Sequence, residues 1–439
     1  MRGELSAGEA SLRCLAVPSG ALEALLLQLD QAAEQGEWLW LQPEGSMASE
    51  GAGWCSHGLP QGHWPDGGGV VLTSGGSRGG RSLCLQPWEH LDRSAMACGH
   101  WLEAAGFDLP GLLLLNPLPF HHVSGLMPWW RSRLWGATHQ RLVPAVMKDP
   151  STLLATCQAL PGWGEQPAVV SLVPTQLKRL MAHPAGIGWL QQLAVVWVGG
   201  AELSEALAQQ ARDLCLNLAP CYGATETAAM VAVQTPDQFL QGEKGCGSPL
   251  TDVELALDAD GALMVRTQRL ATARWRDGQW AAVADAEGWW QTGDVAELSM
   301  RADRSQRLLI RGRLDGAIHS GGETVFPEQL ADRLLHQADA LKLPLKEVLL
   351  LPVPSAEWGQ RLVGLVRCHG EADLSSAWLS IRPRLEAIAS RWLPEERPQS
   401  WHHCPELERS DAGKWQRRRW QEWLAVHLEE EQRKDGVLE

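Results

Sequence analysis

The hexapeptide YGATET, Tyr222–Thr227, presents hydroxyls, backbone groups and one carboxylate, Glu226, after an apolar run that begins near Leu218. One carboxylate cannot cage magnesium, but Mg²⁺ commonly takes a single carboxylate together with substrate phosphates, so Glu226 suits a nucleotide-borne metal. A helix-capping Thr and a surface acid fit the same residues. LTSGGSRGGR, Leu72–Arg81, is a Ser/Thr/Gly run directly after a strand-like segment and ahead of an expected helix. Its small residues let backbone N–H groups close around phosphate oxygens, and Arg81 supplies positive charge. A plain surface turn reads the same way, and the Gly-Lys-Ser/Thr ending of a Walker loop is absent. NPLPFHHVSGL, Asn116–Leu126, exposes His121 and His122 behind Pro-rich backbone, without partners at metal-ligand spacing, so a pocket wall or core is expected rather than a metal. In GWWQTGDVAEL, Gly288–Leu298, Asp294 follows a Thr-Gly turn, where a carboxylate accepts two ribose hydroxyls or merely caps the turn. Arg313 and Asp315 stand in a polar link, Gly321 and Gly322 permit close backbone approach to a ligand, and Lys414 follows Gly413 in RSDAGKWQR.

Elements must hold these segments. Leu22, Leu25, Leu26 and Leu29 are spaced for a helix, and from Val70 strand-like runs (Val70–Leu72, Leu112–Leu115, Ala168–Pro174, Leu193–Gly200) alternate with helical patterns. That alternation predicts a mostly parallel sheet covered on both faces, with ligands gathering beyond the strand ends. Residues 252–310 carry VELAL, ALMVRT, QWAAV and LLIRG between Asp and Gly turns, which predicts a small antiparallel, barrel-like region. Mixed α and β returns after Arg313, with VLLLPVP as a strand and a charged helix from Lys414 to about Lys434. A chain of 439 residues exceeds one ordinary core, so two or three lobes are expected. The net charge of -14 argues against a general nucleic-acid binder, which needs a cationic surface. Ten cysteines without a Cys-x-x-Cys pair argue against zinc and disulfides and for a reduced, cytoplasmic protein. Glu4 and Glu9 ahead of a short Leu-rich run do not fit the layout expected of a secretory signal, and no apolar run reaches about 18 residues, so no integral membrane association is expected. The 23 tryptophans read as core filling, and the one tyrosine, Tyr222, sits inside YGATET.

In this order the segments resemble the adenylate-forming superfamily of acyl-CoA synthetases, luciferases and peptide-synthetase adenylation domains. The likeness runs from about Val70 to Trp420. YGATET is similar to the family's Tyr-Gly-x-Thr-Glu, GWWQTGD to its Thr-Gly-Asp, and IRGRLDGAIHSGGE to its Gly-Arg-x-Asp hinge and Gly-Gly-Glu turn; SLVPTQLKRL, VGGAEL and EWGQRLVGLV fall in register. The resemblance implies an α/β fold: a large N-terminal domain over 1–312, with a barrel-like part over about 252–312, and a smaller mobile α+β domain over 313–439, hinged near Asp315. It also implies ATP, Mg²⁺ and coenzyme A acting on a small-molecule carboxylic acid through an acyl-adenylate. Thr73, Ser74, Gly75 and Ser77 would hold the β and γ phosphates, Thr225 the α-phosphate, and Glu226 the metal. Gly199, Gly200 and Ala201 would flank adenine with Tyr222 and Gly223, and Asp294 and Arg313 would take the ribose. Lys414 resembles the lysine that bridges the attacking carboxylate and the nucleotide. Gly321 and Gly322 would line the coenzyme A channel, and His122, Ser124 and Thr175 the acid pocket, with His122 as a gate rather than a base.

Two departures stand out. Arg78 occupies a family Gly position and Gly80-Arg81 replaces Pro-Lys, and the region before the loop is short for the family. PLPFHHVSGL and SLVPTQLKRL look most like the o-succinylbenzoate-CoA ligase branch of menaquinone and phylloquinone synthesis. Such an acid carries a second carboxylate, for which Arg131, Arg133, Lys178 and Arg179 are candidates, each equally a surface residue. A ligase for another aromatic or medium-chain acid, an impaired adenylate-binding relative, and an adenylation domain serving a carrier protein are the alternatives.

Overall fold

The computed structural model describes residues 12–17, 22–43, 65–75, 81–276, 279–301, 305–314, 316–320, 323–355, 357–369, 374–410 and 415–435. Ser77, Arg78, Asp315, Gly321, Gly322 and Lys414 lie outside the described residues. Two compact units result, Met1–Thr292 with Ala296–Ile310, and Gly293–Val295 with Arg311–Glu439.

In the first unit, β1 (Leu12–Val17), β2 (Trp38–Pro43) and β3 (Gly69–Gly75) run parallel, and β4 (Arg81–Pro87) returns antiparallel to β3. Helix α1 (Leu22–Gln35) covers one face through Leu25, Leu29 and Ala32, the one-sided spacing read from sequence. The segment after the Ser/Gly run is therefore a strand paired antiparallel with β3, not directly a helix. The reason is a period of two in RSLCLQP: Leu83 and Leu85 join a tryptophan-rich cluster, while Ser82, Cys84 and Gln86 alternate to the other face. Helix α2 (Trp88–Ala104) begins only after Pro87.

A second sheet holds β5 (Leu113–Asn116), β6 (Thr138–Arg141), β7 (Ala168–Leu172), β8 (Val195–Val198), β9 (Leu218–Ala224), β10 (Ala229–Val233) and β11 (Ser248–Pro249), in the order β11-β10-β9-β8-β7-β5-β6. The run from β9 to β6 is parallel, with β10 antiparallel at its side. Leu114, Val169, Val195 and Trp197 pack to one face against α2, and Leu113, Val170, Val196 and Val198 to the other. Burial on both faces explains why these strands read as unbroken apolar runs. Helix α3 (Val123–Trp135) follows β5 and stops at Gly136 in the left-handed conformation.

The region 252–310 divides. β12 (Glu254–Leu257), β13 (Ala262–Arg266), β16 (Trp289–Met300) and β17 (Gln306–Arg313) form a four-stranded sheet, but the hairpin β14 (Ala273–Arg276) and β15 (Gln279–Ala282) joins β4 instead. QWAAV thus leaves the barrel-like region because Trp275 and Trp280 pack into the tryptophan cluster of the first sheet. Thr-Gly-Asp is likewise no turn. It lies within the strand β16, which admits Gly293 at φ +77°.

The second unit has β18 (Ile318–Ser320), β19 (Glu323–Val325), β20 (Leu345–Ser355), β21 (Gly359–Cys368) and β22 (Pro398–His403). Alternate residues of the β20–β21 ribbon face opposite ways: Val348, Leu350, Leu362 and Val366 meet the helices Pro327–Ala340 and Leu374–Ala389, and Leu349, Leu351, Val363 and Leu365 meet the helix Arg417–Asp435. Among the described residues no helix is long and apolar enough to cross a membrane, and the eight cysteines are all free.

Candidate nucleotide and acid site

β5, β7, β8 and β9 are parallel neighbours, so the segments that follow them emerge along one edge of the sheet. These segments carry His122 at the start of α3, Thr175 in the first turn of the helix Pro174–Met181, Gly199–Ala201, and Tyr222–Glu226. His122, Ser124, Thr175, Gly200 and Ala201 are exposed, and Tyr222 is half-buried. Ligands in open α/β sheets bind beyond such carboxyl ends. Gly199 abuts Cys221, where an added Cβ would lie 2.9 Å from Sγ, which brings the Gly-Gly-Ala turn next to the Tyr222 strand. The rings of His121 and His122 lie 4.4 Å apart.

Thr225–Thr227 forms a single 3-10 turn between β9 and β10. Gly223 is required there, because a Cβ would stand 2.2 Å from the carbonyl oxygen of Ala229 across the ladder. Ala228 and Ala229 follow at φ 50° and 91°, backbone that L-residues rarely hold. The surroundings over-determine this shape. The Thr227 hydroxyl accepts from Ala224 N at 3.0 Å and faces the Ala229 carbonyl at 2.6 Å. Ser94 donates to the Ala228 carbonyl, and the fully buried Arg269 donates to the carbonyls of Thr227 and Met230 while pairing with Asp252 at 2.6 Å.

The turn delivers Glu226, which is buried, to the sheet face that carries the Ser/Gly hairpin. Ser74 and Ser82, opposite each other in the β3–β4 register, have hydroxyls 2.7 Å apart, and Ser74 Oγ donates to Glu226 Oε1 at 3.3 Å. Gln86 Nε2 donates to the Thr225 carbonyl at 2.7 Å. Arg274 Nη1 meets Glu226 Oε1 at 3.4 Å. Cys84 lies within the same corner, its thiol pushed well above the ordinary value by burial first and the Glu226 charge second. Thr73 and Gly75 flank Ser74 on β3, so three of the four hairpin residues expected at phosphate fall on the strand that touches Glu226. Among the described residues no three ligating side chains converge on a metal position. One carboxylate with hydroxyl neighbours fits a magnesium ion that arrives with phosphate oxygens, and does not fit a resident ion.

Within the second unit Arg313 Nη1 donates to Asp294 Oδ1 at 3.1 Å, and Leu314 N donates to the Gly293 carbonyl at 2.7 Å. Gly293 is favoured by its φ of +77°, and a Cβ there would lie 3.2 Å from the mobile end of Arg313, at Nη2. The two residues expected at ribose are thus paired.

Of the four candidate cations for a second carboxylate, Arg133 is paired with Asp30 at 2.5 Å, and Lys178 and Arg179 are exposed. Arg131 alone is buried, at 1% exposure. Its Nη2 meets Cys98 Sγ at 3.2 Å, its guanidinium stacks on Trp197 at 4.9 Å, and its Nε has no hydrogen-bond partner among the described residues. Beside the Asn116 strand, His139 sits against Asn116 at 3.2 Å, its pKa lowered to about 4 by burial and then by Arg141. Sequence reasoning missed Ser82, Gln86, Arg269 and Arg274, which stand in no motif; only the alternation within RSLCLQP signals the first two.

Residues 87–269 match the family described as AMP-binding enzyme. The 2-succinylbenzoate–CoA ligase of Salmonella typhimurium is 30% identical over 339 residues, 75% of this chain and 66% of that protein. Its counterpart from Escherichia coli is 29% identical over 307 residues, 68% and 61% of the two chains. The indoleacetate–CoA ligase of Aromatoleum aromaticum is 26% identical over 342 residues, 74% and 62%. The matched stretch therefore spans between 61% and 66% of the length of these relatives. Among solved structures, E. coli MenE with a bound analogue of OSB-AMS has a TM-score of 0.65 at 23% identity, over 95% of this chain and 89% of that one. ATP-bound MatB from Rhodopseudomonas palustris has a TM-score of 0.71 at 16% identity, over 94% and 89%. The fold of these solved structures is shared over almost the whole chain, and residues 87–269 belong to the AMP-binding enzyme family.

Proposed function

We propose that the protein is an AMP-forming acid–CoA ligase that converts 2-succinylbenzoate to 2-succinylbenzoyl-CoA, as the names of its relatives suggest. ATP and the carboxylate give an acyl-adenylate and pyrophosphate, and the coenzyme A thiol then displaces AMP to form the thioester. Magnesium, bound with ATP, would neutralise phosphate charge beside Glu226. Thr73, Ser74, Gly75 and Ser77 hold the outer phosphates, Thr225 the α-phosphate, and Gly199–Ala201 with Tyr222 and Gly223 the adenine. Asp294 and Arg313 take the ribose hydroxyls. Two anions must meet at phosphorus, so Lys414, a flexible point charge, stabilises the charge that builds in the transition state. The unit beyond Asp315 turns between half-reactions, removing Lys414 and bringing Gly321 and Gly322 to the pantetheine. His122, Ser124 and Thr175 border the acid, which arrives already ionised and needs no base. The free thiols suit a cytoplasmic setting.

The observation that carries the choice of acid is Arg131. Among the described residues this buried guanidinium has no carboxylate partner, which is costly, and a substrate carboxylate repays that cost. An acid with one carboxylate, such as indoleacetate, spends its only charge at the adenylation centre and leaves Arg131 unpaired. In a coupled assay of pyrophosphate release, 2-succinylbenzoate is expected to have a higher kcat/KM than benzoate, indoleacetate, coumarate or octanoate. Arg131→Met should lower kcat/KM for 2-succinylbenzoate about 10- to 100-fold and that for a monocarboxylate little, in line with a charged hydrogen bond. A panel led by a monocarboxylate would reject this substrate.

A further inference from the structure

We propose that Arg274 is the cation that receives the terminal phosphates of ATP, doing the work of the lysine that the Ser/Gly hairpin lacks, and that Glu226 holds it in readiness. This rests on the reading of the Glu226 corner as the phosphate end of the nucleotide site. The position of Arg274 follows from strand register. β14 pairs with β4 so that Arg274 stands opposite Cys84, and β4 pairs with β3 so that Ser82 stands opposite Ser74. Arg274 therefore shares a sheet face with Cys84, Ser82 and Ser74, the hydroxyl-lined face that meets Glu226, while its neighbour Trp275 points into the tryptophan cluster behind. A slip of one residue would reverse both. The packing of Trp275 and Trp280 thus fixes an arginine at the phosphate corner.

The pair that Arg274 makes is built to be given up. Its contact with Glu226 is long, at 3.4 Å, and the Arg274 side chain is 34% exposed against 9% for Glu226. Among the described residues Glu226 is its one hydrogen-bond partner. A partly exposed pair of this kind contributes little to stability. Its loss is easily offset when a polyphosphate presents several anionic oxygens, which a planar guanidinium can grip in two places. Keeping the arginine on Glu226 beforehand holds the side chain in the right quadrant and limits the ordering cost at binding. AMP has no β or γ phosphate, so Arg274 distinguishes ATP from AMP, and its grip is released with pyrophosphate.

The test is calorimetric binding of MgATP and of AMP to the full chain, comparing wild type with Arg274→Met, Arg274→Lys, Arg78→Ala and Arg81→Ala. Arg274→Met is expected to weaken MgATP about 10- to 100-fold while AMP stays within about twofold, and Arg274→Lys should recover part of the loss. Equal weakening of both nucleotides, or no weakening of MgATP, overturns the proposal. So does a loss of MgATP binding confined to the Arg78 and Arg81 variants. If Arg274→Met fails to fold, the Lys variant decides: weaker MgATP binding with AMP unchanged supports the arginine's role, and equal weakening of both nucleotides, or none, counts against it. Wild type that binds neither nucleotide would remove the ligase reading itself, an outcome distinct from the others.

Discussion

Single residues in this chain fall into those a motif announces and those it cannot. Glu226, Asp294 and Arg313 belong to the first kind, and the structure supplies their partners: Ser74 and Arg274 for Glu226, and Asp294 and Arg313 for each other. Arg131 was one of four cations on equal footing until burial separated it from Arg133, Lys178 and Arg179. Nothing in WWRSR marks which arginine turns inward, because that depends on which side of α3 meets Cys98 and Trp197. At this scale the sharpest prediction concerns Lys414. Lys414→Ala should slow acyl-adenylate formation about 100- to 1,000-fold, the usual size of a lost transition-state charge contact. Thioester formation from a supplied acyl-adenylate should be nearly unchanged. Single-turnover measurement of the two half-reactions separates them, and equal loss in both would contradict the assigned role.

At the level of elements, periodicity was legible and sheet membership was not. The apolar runs that became β5, β7 and β8 and the Leu25–Leu29 face of α1 were visible, since burial imprints a local pattern. The hairpin β3–β4 and the placement of β14–β15 beside β4 were not, because a strand's partner is chosen by packing far away in sequence. The strained turn at Ala228 and Ala229 depends on such distant support, and Arg269 is its main brace. Arg269→Met would remove the donor to the carbonyls of Thr227 and Met230 and leave the Asp252 carboxylate with the Thr267 hydroxyl alone among the described residues. A loss of about 2–4 kcal/mol follows from removing one side of a buried network. Chemical denaturation of the first unit measures it, and a change below about 1 kcal/mol would mean the turn holds itself. Nucleotide affinity should fall as well, since Glu226 is carried on the turn.

For the whole molecule, pH acts through a histidine outside every motif. His139 is held neutral down to about pH 4 by burial, whereas in the unfolded chain it protonates near its ordinary value. Between those values the unfolded state binds more protons, so stability rises with pH; this contribution is complete above about 6.5 and is lost as pH falls toward about 4. One such group gives a slope of at most about 1.4 kcal/mol per pH unit. Denaturation midpoints of wild type and His139→Gln across that window should diverge as pH rises, and parallel curves would exclude His139 as a source. What the amino-acid sequence alone determined is the family, the order of its motifs and the succession of strands and helices, because each is written in neighbouring residues. Which cation stands beside Glu226, 48 residues away in the chain, and which arginine is buried with no carboxylate partner among the described residues were decided only by tertiary structure. Register and sheet membership are long-range choices, made by the packing of Trp275, Trp280 and Trp197 rather than by the residues that do the chemistry.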